Sequence, residues 1–199
     1  MTSPDEKPVP TLNIANILTM LRIVMVPLFA WFYVLDVVGG QPQYEGWRWA
    51  AVAMFALAMY TDKLDGDIAR SRGLITDFGK IADPIADKLL TGAALVLFSI
   101  CGELSWWATG IILVREWGIT AMRFVVIRYS VMPASRGGKV KTVTQALAIL
   151  LYLLPVTHMF DWLGIIAAIV MWAAVALTLV TGLDYIVQAV RLRKQGRRE

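Results

Sequence analysis

Six long apolar runs, divided by short polar connectors, take up nearly the whole chain. A hydrocarbon core of about 30 Å needs roughly 20 residues of helix, and a helix satisfies its own backbone in that medium. The runs extend from about Ile14 to Val38, Trp47 to Arg70, Lys80 to Cys101, Ser105 to Tyr129, Thr142 to Phe160 and Leu163 to Val190. Breakers mark the gaps: Gly39-Gly40 with Pro42, Gly73, Gly102, Pro133 with Gly137-Gly138, and Gly164. The expectation is an all-α integral membrane protein of six transmembrane helices. Residues 14–190 form one membrane domain, between a tail of residues 1–13 and a basic tail of residues 191–199.

Composition agrees. Hydrophobic residues make up 58% and charged residues 17%, against roughly 45–50% and 25% for a soluble domain. A soluble enzyme, a disordered chain and a nucleic-acid module are excluded. The net charge of +4 arises from bases between apolar runs. With the N-terminus inside, thirteen Lys and Arg residues from Lys7 to Arg198 fall on cytosolic segments, and only Arg48 on an outer connector. That bias puts both termini in the cytosol. A single cysteine, Cys101, and a single histidine, His158, exclude disulfide frameworks and multi-histidine metal sites.

The second and third runs are anomalous. Trp47 to Tyr60 is 14 residues and Leu89 to Cys101 is 13, or roughly 20 Å of helix each. Neither crosses the membrane unless charged helix ends are drawn in, and those ends carry Asp62, Asp65, Asp83 and Asp87. Asp62 and Asp65 are three apart and Asp83 and Asp87 four apart, so each pair shares a helix face. As antiparallel neighbours joined by a short loop, the two helices would bring the acids into one polar pocket. All-oxygen donors favour hard divalent cations such as Mg²⁺, Mn²⁺ or Ca²⁺, and four acids could hold two ions. The alternative is structural ion pairing with Lys63, Arg70, Lys80 and Lys88.

The stretch from Asp62 to Asp87 reads D-x2-D-G-x2-A-R-x8-G-x3-D-x3-D, eight fixed positions across 26 residues. It resembles the signature of the CDP-alcohol phosphatidyltransferase family. The resemblance implies six spans and an active site open to the cytosol. It also implies transfer of a phosphatidyl group from a CDP-linked lipid to an alcohol, with release of CMP. By this resemblance Asp62, Asp65, Asp83 and Asp87 ligate two Mg²⁺ or Mn²⁺ ions, and Asp87 is also the general base. Gly66 and Ala69 leave room for the nucleotide, Arg70 and Thr76 contact the nucleotide or its phosphates, and Gly79 is a packing or turn position. A homodimer is implied on the same ground.

The first run opens Asn13-Ile14-Ala15-Asn16-Ile17-Leu18-Thr19-Met20-Leu21-Arg22, similar to the N-I-P-N-x-L-T-x-x-R opening of bacterial phosphatidylglycerophosphate synthases, with Ala15 in place of proline. Asn16, Thr19 and Arg22 share a face; Asn16 and Thr19 are expected at the CDP-lipid, and a helix N-cap is the alternative for Asn16. Arg115, Glu116, Thr120 and Arg123, with the G-K-x-K-T-x-x-Q stretch from Gly138 to Gln145, look like the same synthases. Arg115, Arg123, Lys139 and Lys141 would form a cationic pocket for a phosphorylated acceptor. Charge alone admits glycerol 3-phosphate or inositol phosphate; the surrounding pattern favours glycerol 3-phosphate, with CDP-diacylglycerol as donor, in a bacterial cell membrane. A buried Arg115–Glu116 pair, and topology signals at Lys139 and Lys141, are the alternatives. Cardiolipin synthesis is another possible outcome of the same chemistry. A small cation transporter would need polar residues through to the outer face, where Leu90 to Ile100 is apolar. His158, Cys101, Asp36, Glu45, Glu103 and Asp161 lie in or near outer connectors and are assigned no role.

Overall fold

A computed structural model describes residues 13–38, 41–74, 76–126 and 136–195. The architecture is all-helical: α1 (Ile14–Leu35), α2 (Gly46–Arg72), α3 (Asp77–Ile100), α4 (Trp106–Val126), α5 (Arg136–Leu153), the short α6 (Pro155–Met159) and α7 (Asp161–Gln195). A two-residue ribbon, β1 (Val37–Val38) against β2 (Gln41–Pro42), pairs antiparallel between α1 and α2. The six apolar runs correspond to the six long helices. Two of these, Ile14–Leu35 and Asp161–Val187, are long and apolar enough by themselves to cross a membrane.

Local chemistry sets the boundaries. The Asn13 side chain accepts from the Asn16 N–H at 3.0 Å and caps α1. Asp36 receives the N–H groups of Tyr44 at 3.2 Å and Glu45 at 3.0 Å, ahead of α2. α2 stops at Gly73, whose φ of 63° is the left-handed turn that glycine adopts without strain. Three residues later Thr76 caps α3, its hydroxyl accepting from the Gly79 N–H at 3.0 Å. The fifth run divides where Pro155 removes a backbone donor: α5 ends at Leu153, α6 starts at Pro155 and α7 at Asp161. α7 runs past Val190 to Gln195.

The bundle is threaded by alanines. Ala51, Ala58, Ala94, Ala108, Ala148 and Ala174 are fully buried, so backbones approach closely. Phe29, Phe55, Tyr33 and Phe98 fill the core between them, with ring centroids 5.8 Å apart for Phe29–Phe55 and for Tyr33–Phe98. The outer surface is apolar too: Trp31, Trp107, Val114, Ile169 and Leu183 point away from the core. One expectation is corrected. α2 and α3 touch each other little; α1 packs along both and is the element between their acidic ends.

Candidate active site

The acids meet across α1. Spacing by three places Asn16, Thr19 and Arg22 on its buried face. Arg22, fully buried, pairs through Nη1 with Asp62 Oδ1 at 2.7 Å and through Nη2 with Asp65 Oδ2. The Thr19 hydroxyl donates to Asp83 Oδ1 at 2.6 Å and lies 3.4 Å from Asp65 Oδ2. One helix face thereby links carboxylates from both α2 and α3. The bases considered as structural partners do other work: Arg70 pairs with Asp67 at 2.8 Å and Lys88 with Glu116 at 3.6 Å, while Lys63 is exposed. The side chain of Lys80 lies outside the described residues. Sequence reasoning placed Arg22 on the right face but gave it no role.

A cavity of about 630 Å³ opens beside this cluster. Asp62, Asp83 and Asp87 line one wall; Arg115, Lys139 and Lys141 line another. Asp65 sits behind, buried under Arg22 and Thr19. Glu116 organises the cationic wall. Its Oε1 meets Lys141 Nζ and, at 2.9 Å, Arg115 Nη1; its Oε2 lies 3.6 Å from Lys88 Nζ. Arg115 Nη2 also donates to the Thr181 hydroxyl at 3.0 Å, and a Cβ on Gly182 would come 3.2 Å from Arg115 Cγ. The Arg115–Glu116 pair therefore exists and still faces the cavity. Lys141 is buried and Lys139 exposed. Arg123 belongs to α4, but its side chain lies outside the described residues. The Arg115–Glu116 pair was among the expectations, but the gathering of Lys88, Lys141 and Thr181 around it was not, because it comes from packing between distant helices.

The donor set suits hard divalent cations in chemical type. Every candidate atom is a carboxylate oxygen. Arg22 compensates Asp62 and Asp65, and Asp83 receives the Thr19 hydroxyl. Among the described residues, no hydrogen bond or ion pair engages the Asp87 carboxylate, which faces the cavity. Among the same residues, no three acids converge tightly enough to enclose one ion.

The residues expected at the CDP-lipid divide into two groups. Asn16 is not the cap, since Asn13 takes that place; Asn16 Nδ2 donates to the Thr76 hydroxyl at 2.8 Å, joining the starts of α1 and α3. Gly79 belongs to this junction, where a Cβ would come 2.9 Å from Asn16 Oδ1. Gly66, Ala69 and Arg70 lie on the last turns of α2. The exposed Arg70 guanidinium folds over Gly66, so that a Cβ there would lie 3.3 Å from its nitrogens.

Comparison with known proteins decides the family. The sequence profile for CDP-alcohol phosphatidyltransferase matches residues 12–180. The chain belongs to this family. A Mycobacterium tuberculosis protein named probable phosphatidylglycerophosphate synthase is 49% identical over 181 residues, covering 90% of this chain and 82% of that protein. A Bacillus subtilis CDP-diacylglycerol–glycerol-3-phosphate 3-phosphatidyltransferase is 34% identical over 185 residues, 87% of this chain and 93% of that one. A Streptomyces coelicolor cardiolipin synthase (CMP-forming) is likewise 34% identical over 185 residues, 91% of this chain and 84% of its own. The signature positions Asp62, Asp65, Gly66, Ala69 and Arg70 lie on the C-terminal part of α2, and Gly79, Asp83 and Asp87 on the first half of α3.

Proposed function

We propose that this phosphatidyltransferase moves the phosphatidyl group of CDP-diacylglycerol to glycerol 3-phosphate, giving phosphatidylglycerol phosphate and CMP. One observation carries the reading: a single cavity joins the carboxylates of α2 and α3 to the cations Arg115, Lys139 and Lys141. A phosphorylated alcohol held by the cations presents its hydroxyl to Asp87. The 49% identity to the mycobacterial protein supports the same acceptor.

Asp62, Asp65, Asp83 and Asp87 would hold two Mg²⁺ or Mn²⁺ ions, which when bound supply charge neutralisation for the diphosphate and the departing CMP. Arg22 and Thr19 orient Asp62, Asp65 and Asp83. Asn16, Gly66, Ala69, Arg70 and Thr76 make the floor for the CDP-lipid. Asp87 takes the proton from the attacking hydroxyl. The acceptor oxygen bonds to the phosphorus nearest the diacylglycerol as the bond from that phosphorus to the CMP oxygen breaks. Attack is direct, so no covalent enzyme intermediate is needed. Arg115, Arg123, Lys139 and Lys141 hold the acceptor phosphate. The reading includes six spans, both termini and the cavity on the cytosolic side of a bacterial cell membrane, and a homodimer.

The test is CMP release from CDP-diacylglycerol by purified protein with Mg²⁺ or Mn²⁺, each acceptor offered separately. Release with glycerol 3-phosphate, and not with inositol phosphate, glycerol or serine, is the expected result. Phosphatidylglycerol is the acceptor to set against it, since cardiolipin synthesis is the alternative outcome and the Streptomyces relative is named a cardiolipin synthase. Release with phosphatidylglycerol alone would replace the acceptor, and no release with any acceptor would remove the catalytic reading.

A further inference from the structure

Gln145 lies one turn beyond Lys141 on the same face of α5. It is 4% exposed, and its Oε1 has no hydrogen-bond partner. Buried amide groups are nearly always paired, because one left unpaired loses its hydration for nothing. The amide borders a small cavity of about 20 Å³, together with Asp87, Thr91, Glu116 and Lys141. The Thr91 hydroxyl is already committed to the Asp87 carbonyl at 3.0 Å. A volume of that size takes one oxygen atom. Asp87, Glu116 and Lys141 also line the main cavity, so the small one adjoins it at the point between the base and the phosphate-binding cations.

We infer that Gln145 is a specificity-determining residue that reads the secondary hydroxyl of the acceptor. The inference rests on the reading of the acceptor as glycerol 3-phosphate. In that molecule the attacking hydroxyl and the phosphate occupy opposite ends of three carbons, and the secondary hydroxyl lies between them. With one end at Asp87 and the other at Lys141, the middle oxygen falls beside the Gln145 amide, which can both donate to it and accept from it. A site built to pair a hydroxyl discriminates against the analogue lacking it, because the site's own polar group is then left unpaired.

The experiment compares kcat/KM for glycerol 3-phosphate and for 3-hydroxypropyl phosphate, which lacks only that hydroxyl. Wild-type protein is expected to prefer glycerol 3-phosphate by about tenfold or more. In Gln145→Leu the preference should collapse to within about threefold. A role in packing, or in holding one water, lowers both acceptors together and leaves the preference intact; that result overturns the inference. Wild-type protein that uses both acceptors equally overturns it without any variant. Absence of CMP release with glycerol 3-phosphate instead removes the underlying acceptor reading, and this inference with it.

Discussion

In the proposed reaction the chemistry converges on Asp87. Its carboxylate faces the cavity without an ion-pair partner among the described residues, while Asp62 and Asp65 are engaged by Arg22. A carboxylate left open in this way is available to accept a proton and to bind a cation. Asp87→Asn preserves shape but loses basicity and charge. CMP release by this variant is expected to fall by about a thousandfold or more, with an unchanged elution profile and melting temperature in detergent. Activity close to wild type would remove the general-base assignment. Arg22 illustrates the opposite economy: one buried guanidinium holds two carboxylates in a fixed fork, a geometry that lysine does not reproduce.

At the scale of elements, the start of α5 carries two lysines of different character. Lys139 is exposed at the cavity, whereas Lys141 is buried against Glu116. Both should contribute to binding the acceptor phosphate, but only Lys141 also holds helices together. Lys139→Ala is expected to raise the KM for glycerol 3-phosphate by about tenfold with no change in melting temperature. Lys141→Ala should raise it similarly and lower the melting temperature as well. Neither should move the KM for CDP-diacylglycerol more than about twofold; steady-state kinetics with each substrate varied in turn will show whether it does. Equal effects on both substrates would indicate a nonspecific electrostatic role.

Among the described residues, the buried ion pairs gather in two places, beside the cavity and around Arg48. Opposite the acids, the fully buried Arg48 pairs with Glu103 at 2.6 Å and donates to the carbonyls of Leu153 at 3.1 Å and Tyr152 at 3.2 Å. Its Nη1 is 3.9 Å from Asp36 Oδ2, and its guanidinium lies 4.3 Å above the Tyr33 ring. His158 completes the group, stacked on Tyr44 with centroids 4.0 Å apart. Arg48, in the first turn of α2, is therefore a clasp joining α1, α2, α5 and the turn after α3. Arg48→Met leaves two acids buried without their cation, and should cost about 3–5 kcal/mol of stability. Thermal unfolding in detergent reads that loss. The kcat of the folded fraction should stay within about twofold of wild type, since the clasp is remote from the cavity; a large fall would mean that the two ends are coupled.

The sequence by itself determined the six apolar segments, the family signature and the helix faces of Asp62, Asp65, Asp83 and Asp87. These follow from hydropathy and from spacings of three and four, which are local properties of a helix. The basic residues Lys139 and Lys141 were legible for the same reason, as a pattern within a few residues. Only the tertiary structure decided that α1, rather than direct contact of α2 with α3, unites the acids through Arg22 and Thr19. It alone brought Lys88, Arg115 and Lys141 to Glu116, and Asp36 and Glu103 to Arg48. Arg22 is 43 residues from Asp65, and Arg48 is 105 from Leu153. Pairing at such separations depends on which helices pack side by side, and the periodicity of any one helix carries no record of its neighbours.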